Sequence, residues 1–178
     1  MFKLRTANSK IAALLGALLA ATALVALAPA AHAAVDQVCT ASETTRFSPP
    51  VTNNPQTVNI TVNGNLFNCT SGSAPTGTYT EVFTVPNLTC TNLLLSGSGT
   101  RVFNWTNSAI APSTFTYNRT VTRVNGTVQV EFLGEIASGT FKPDPAKEEV
   151  TGPELDPTLC ATTGVSQQAF VGILTIGV

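Results

Sequence analysis

The stretch Thr114-Phe-Thr-Tyr-Asn-Arg-Thr-Val-Thr-Arg-Val124, then Asn125-Gly126, then Thr127-Val-Gln-Val-Glu-Phe-Leu-Gly-Glu-Ile136 can fold in very few ways. Two runs of alternating apolar and polar residues flank an Asn-Gly pair. That pair accepts the positive φ angles of a type I′ turn, whose twist matches antiparallel strands. A two-residue turn pairs Val124 with Thr127, Val121 with Val130, Arg119 with Phe132 and Phe115 with Ile136. Phe115, Tyr117 and Val121 then share a face with Val128, Val130, Phe132 and Ile136. The threonines, Asn118, Gln129, Glu131 and Glu135 take the other face. A lone hairpin is marginal in water, so the rest of the chain must add strands to it.

It does. Beyond residue 34 the chain is rich in Thr, Val, Asn, Gly and Ser, and no run keeps helical spacing. Thr and Val favour strands; Asn, Gly and Pro punctuate turns. Alternation predicts strands near 37–47, 56–67, 77–85, 100–106, 113–124, 127–138 and 169–177, with a short further one near 88–95. Their number and spacing suit an all-β sandwich or barrel of short strands, and the fold expected is a single antiparallel β-sandwich of immunoglobulin-like or jelly-roll-like type. The segment KPDPAKEEVTGPELDP (142–157) is acidic and interrupted by four prolines. It reads as a solvated excursion between the last two strands, since proline does not suit a central strand. Its carboxylates make Ca²⁺ a conceivable ligand, though their spacing matches no known calcium loop.

The N-terminus sets the compartment. Lys3, Arg5 and Lys10 precede an uncharged run from Ile11 to Ala28, and Ala31-His32-Ala33 follows. This is the layout of a secretory signal peptide over 1–33, helical in its apolar part, with cleavage expected after Ala33. Residues 34–178 are then one domain, expected to be extracellular and free of the membrane. All ten acidic residues lie in this part and three of the nine basic ones do not, so the mature chain is acidic by about four charges. No clustered basic face is left for nucleic acid.

Cys39, Cys69, Cys90 and Cys160 all fall in the mature part, and an even count in an exported chain reads as two disulfides. Three pairings are possible. The expected one closes a local loop through Cys69–Cys90 and ties the first strand to the approach to the last through Cys39–Cys160.

The only histidine, His32, leaves with the signal. Histidine-dependent triads and His-ligated zinc are therefore unavailable to the mature chain, and paired cysteines offer no thiolate. Phosphate loops and dinucleotide fingerprints are absent. The expectation is no catalysis, no metal and no cofactor. Two residues stand out as ligand-contact candidates. Trp105 shares a face with Phe103 and would stack on a sugar if exposed, as would Tyr79 and Tyr117. Arg119 falls on the apolar face of the hairpin, a costly place for a cation unless it lies near the sheet rim or stacks.

Several fragments occur in an order that resembles small secreted β-rich, four-cysteine proteins of actinobacteria. They are Cys39 with Phe47-Ser48-Pro49, Cys69, Cys90, Gly99-Thr-Arg101, Asn104-Trp105, Ser113-Thr-Phe-Thr-Tyr117, Gly139-Thr-Phe141, Cys160, Gly164-Val165 and a last strand around Val171 to Ile176. The resemblance implies a Gram-positive exporter and a sandwich-like fold, and it brings no catalytic residues. The functional expectation is a secreted non-catalytic binding or surface module, with cell-wall or other polysaccharide as ligand. The alternatives are an inhibitor of another exported protein such as a protease, presenting the Cys69–Cys90 segment, and self-assembly through an exposed strand edge.

Overall fold

A computed structural model of the protein describes residues 35–93 and 96–177. The expected signal peptide over 1–33 and its cleavage point lie outside the described residues. The described chain forms eight strands and one short helix. The elements are β1 (Gln37–Val51), β2 (Gln56–Phe67), β3 (Gly77–Leu88), β4 (Gly97–Trp105), β5 (Ser113–Val124), β6 (Thr127–Ser138), β7 (Pro145–Pro153), α1 (Pro157–Ala161) and β8 (Val165–Ile176). Each strand pairs antiparallel with the next, and β8 returns to pair with β1 from Gln37↔Ile176 to Arg46↔Gln167. The result is a closed up-and-down barrel, not the sandwich expected from sequence.

The error has a definite origin. A meander closes only when every strand has its neighbour in place. Alternation marks seven long strands and a short further one near 88–95, but it makes 142–157, between the last two, an excursion. That segment contains β7, which pairs with β6 from Thr127↔Pro153 to Glu135↔Pro145 and with β8 from Ala146↔Ile176 to Thr151↔Val171. Its prolines sit at the first and last strand positions, where a missing N–H is tolerated. Its inward residues are Ala146, Glu148 and Val150, so an interior carboxylate hid the alternation. The short strand expected near 88–95 is not separate: β3 runs to Leu88, and a loop follows.

The β5–β6 hairpin has the register read from sequence, including Arg119↔Phe132 and Phe115↔Ile136. Asn125 and Gly126 have φ of 52° and 78°, as a type I′ turn requires. Eight strands make a barrel just wide enough to be filled by side chains. At one end, toward the β2–β3, β4–β5 and β6–β7 loops, the filling is Leu66, Phe103, Trp105, Phe115, Ile136 and Ile176. Two large rings cross the barrel where their strand partner has no side chain. Tyr79 faces Gly64 and Tyr117 faces Gly99, and a Cβ at either glycine would run into the phenol.

The disulfides are Cys39–Cys69 and Cys90–Cys160, correcting the expected pairing. Antiparallel neighbours explain it. Cys39 opens β1 and Cys69 follows β2, so a β1–β2 ladder brings them together at one end of the barrel. Cys90 follows β3 and Cys160 lies in α1, both at the opposite end.

One seam of the barrel is weak. Among the described residues β3 and β4 pair only at Gly77↔Trp105 and Thr78↔Asn104. Beyond these positions β3 stays with β2 and β4 stays with β5, so the two strands part toward the end closed by Cys90–Cys160.

Candidate functional site

Above the apolar filling lies a layer of charge that strand alternation builds. Glu43 of β1, Glu81 of β3, Arg101 of β4 and Glu148 of β7 all occupy inward positions. Arg101 is 1% exposed and Glu148 is fully buried. One guanidinium nitrogen of Arg101, Nη1, donates to Glu148. The other, Nη2, donates to Glu81 at 2.9 Å and to Glu43 at 3.2 Å. Its plane lies between two aromatic rings, with Tyr79 at 4.1 Å and Phe132 at 4.4 Å from its central carbon. Tyr79 donates its hydroxyl toward Glu148 at 2.8 Å and Glu43 at 3.1 Å, and Tyr117 donates to Glu81 at 2.9 Å.

Three carboxylates thus share one guanidinium. Burial favours the neutral acid at Glu43 and outweighs the opposing pull of Arg101, so its pKa is raised; Glu148 and Glu81 add to the rise. Burial works against the charge of Arg101, but Glu148, Tyr79, Glu43 and Glu81 hold it protonated. Burial also keeps both tyrosines neutral through the usual phenol range.

The sign of the pH effect follows. A carboxyl that holds its proton more tightly when folded adds stability below its ordinary pKa of 4.5, and that stability is lost as pH rises through the folded value. The groups facing Glu43 are Tyr79 and Glu81 from β3, Arg101 from β4 and Glu148 from β7. Glu43→Gln keeps the shape and removes the titration. Its stability relative to the unsubstituted protein is expected to rise between pH 4 and pH 8, measured as the difference in urea midpoints. A difference independent of pH would contradict a raised Glu43.

Between this charged layer and the β3–β4 loop the barrel is not filled. A cavity of about 240 Å³ is walled by Phe47, Ile60, Val62, Phe83, Phe170 and Leu93, with Thr45, Asn92, Arg119 and Gln168 as polar members. Beside it, in the parting seam, a second cavity of about 590 Å³ runs between Thr80–Val85 of β3 and Ser98–Val102 of β4. Phe83, Val85 and Arg119 line both, so the two cavities adjoin at these side chains. Glu81 and Tyr117 form part of the seam cavity and link it to the charged layer.

Arg119, singled out in the sequence, is half-buried on the inward face and borders both cavities. Trp105 is elsewhere. It is buried at the opposite end, where Nε1 donates to Ser113 Oγ at 2.9 Å and the indole packs edge-on against Phe141. Tyr79 and Tyr117 are buried as well, so none of the three presents a face for stacking on a sugar. The cysteine sites are structural. Residues 142–157 bring no calcium cage together: among the described residues no group of three His, Cys, Asp or Glu is placed to hold a metal.

The sequence reading passed over Arg101, Glu43, Glu81 and Glu148 as site residues. The signal was parity: Arg101 stands two before Phe103 and four before Trp105, which places it on their face. The carboxylates of the charged layer are engaged by Arg101 and the tyrosines. The layer can hold charge, fix the barrel's cross-section and close the floor of the cavity above it. No family model, curated protein or solved structure matches the chain.

Proposed function

We propose that the protein is an exported, non-catalytic binding module that encloses a small, largely apolar molecule in the barrel cavity. The observation that carries the reading is the cavity itself. An eight-stranded barrel is either filled by its side chains or just wide enough to hold one small ligand, and here a chamber of apolar walls with a few polar groups is left beneath a disulfide-tethered loop. Such chambers are the usual form of a small-molecule site. The weak β3–β4 seam is the route by which the ligand reaches it. Export is supported by the signal-like N-terminus and by two disulfides, which favour an oxidising compartment. Both agree with the resemblance to actinobacterial secreted proteins. The barrel's outer positions are largely threonine and asparagine, the reverse of a lipid-facing apolar band.

A polysaccharide ligand keeps a place only as a rival, since the aromatics that would have stacked on it are buried. Naphthalene is a suitable probe, and saturable one-to-one binding is expected by calorimetry. Val62→Phe, which fills the chamber, is expected to weaken it about tenfold or more. If naphthalene does not bind, and the protein instead co-sediments with peptidoglycan, chitin or cellulose regardless of Val62→Phe, the ligand lies on the outer surface and the cavity reading fails.

A further inference from the structure

We infer that the chamber takes a two-ring-sized, mainly apolar molecule bearing a hydrogen-bond donor, a phenol or alcohol in class, whose O–H is received by Gln168. This rests on the chamber being a ligand site and names the chemistry of its occupant.

Gln168 lies on β8 opposite Thr45 of β1 and is 5% exposed. Its Nε2 donates to the backbone carbonyl of Pro153 at 2.8 Å. A carbonyl can only accept, so this bond fixes which end of the amide is nitrogen. The oxygen, Oε1, is buried and has no hydrogen-bond partner among the described residues. Native interiors rarely leave such an acceptor unmatched, and each exception calls for an explanation. Gln168 is also part of the chamber wall. Its polar neighbour there, Thr45, already gives its hydroxyl proton to Glu43.

An acceptor at the edge of an apolar chamber selects for a donor. A ketone, ether or carboxylate placed there would set lone pair against lone pair, whereas a hydroxyl completes the pair. Charge points the same way, since Glu43, Glu81 and Glu148 outnumber Arg101 in the layer beneath. Arg119 also borders the chamber. Size follows from volume. A cavity of about 150 Å³ holds benzene, and one of about 240 Å³ has room for a second fused ring.

The test measures affinities of naphthalene, 2-methoxynaphthalene, 2-naphthol and 2-naphthoate for the oxidised protein by calorimetry at pH 7. 2-Naphthol is expected to bind about tenfold tighter than its methyl ether, the factor that one net hydrogen bond supplies. In Gln168→Met, which keeps length and removes the acceptor, that advantage is expected to vanish while naphthalene binds as before. Unchanged naphthalene binding also shows that the variant's chamber is intact. Equal affinity for 2-naphthol and its ether in the unsubstituted protein, or tightest binding of 2-naphthoate, overturns this inference alone. Failure of all four to bind overturns the cavity reading with it.

Discussion

Replacing Arg101 with methionine is expected to lower the unfolding free energy by about 3–5 kcal/mol, the range seen when one partner of a buried ion pair is removed. The unfolding midpoint should fall by roughly 10 °C for a domain of this size. Methionine fills much of the same space, so the loss reports on charge more than on packing. Arg101 contacts all three of Glu43, Glu81 and Glu148, which are 6%, 11% and 0% exposed. Without it they face one another in a medium where unpaired charge is costly. Two further measurements isolate that cause. The variant should regain part of its deficit as pH falls, because Glu43 already holds its proton more tightly than an ordinary carboxyl, and a pure packing defect would not. Combining Arg101→Met with Glu148→Gln should destabilise by less than the sum of the two changes, because each removes a partner of the other. Additive effects and a deficit independent of pH would show that the layer is held by something other than its charges.

How much of this was legible in the sequence depends on what each residue does to the alternation. The β5–β6 hairpin could be read to the residue because Asn125-Gly126 admits one turn and both flanking runs agree on a face. β7 could not, because Glu148 stands inward where an apolar residue would have marked the strand, and Pro145 and Pro153 resemble breakers until their end positions are known. Losing that strand then changed the topology, since β7 is the neighbour that joins β6 to β8. The same inward charges that hid β7 form the buried layer. Each looks like an exposed residue when read alone, and only their sum shows that one inward arginine answers three inward glutamates on four strands. The chamber left less trace still. Phe47, Ile60, Val62, Phe83 and Phe170 read as ordinary core positions, and nothing in a linear pattern says that they do not meet. Arg119 differs from them in showing as a cation on an apolar face, and its side chain lines the same cavity.

Removing the Cys90–Cys160 disulfide as a Ser/Ser double variant is expected to cost about 4 kcal/mol in the chain-entropy description, slightly more than removing Cys39–Cys69. The order follows from the closed loops, 70 residues against 30. The two bridges should differ much more in ligand binding than in stability. Cys39–Cys69 lies at the end filled by Phe103, Trp105 and Phe115, remote from the chamber. Cys90–Cys160 tethers the β3–β4 loop, which carries Asn92 and Leu93 into the chamber wall, to the helix before β8. It also spans the end toward which the β3–β4 seam parts, where no ladder resists widening. Freed of that tether, the loop can lift and admit water to the chamber, and apolar affinity falls. Calorimetry with naphthalene, run well below each variant's unfolding midpoint, should therefore give about tenfold weaker binding for Cys90→Ser/Cys160→Ser and little change for Cys39→Ser/Cys69→Ser. Equal losses in both would mean that affinity follows global stability and that the loop is not the chamber's cover. A loss confined to the Cys90–Cys160 variant would make that disulfide part of the binding site, because what it holds in place is a wall.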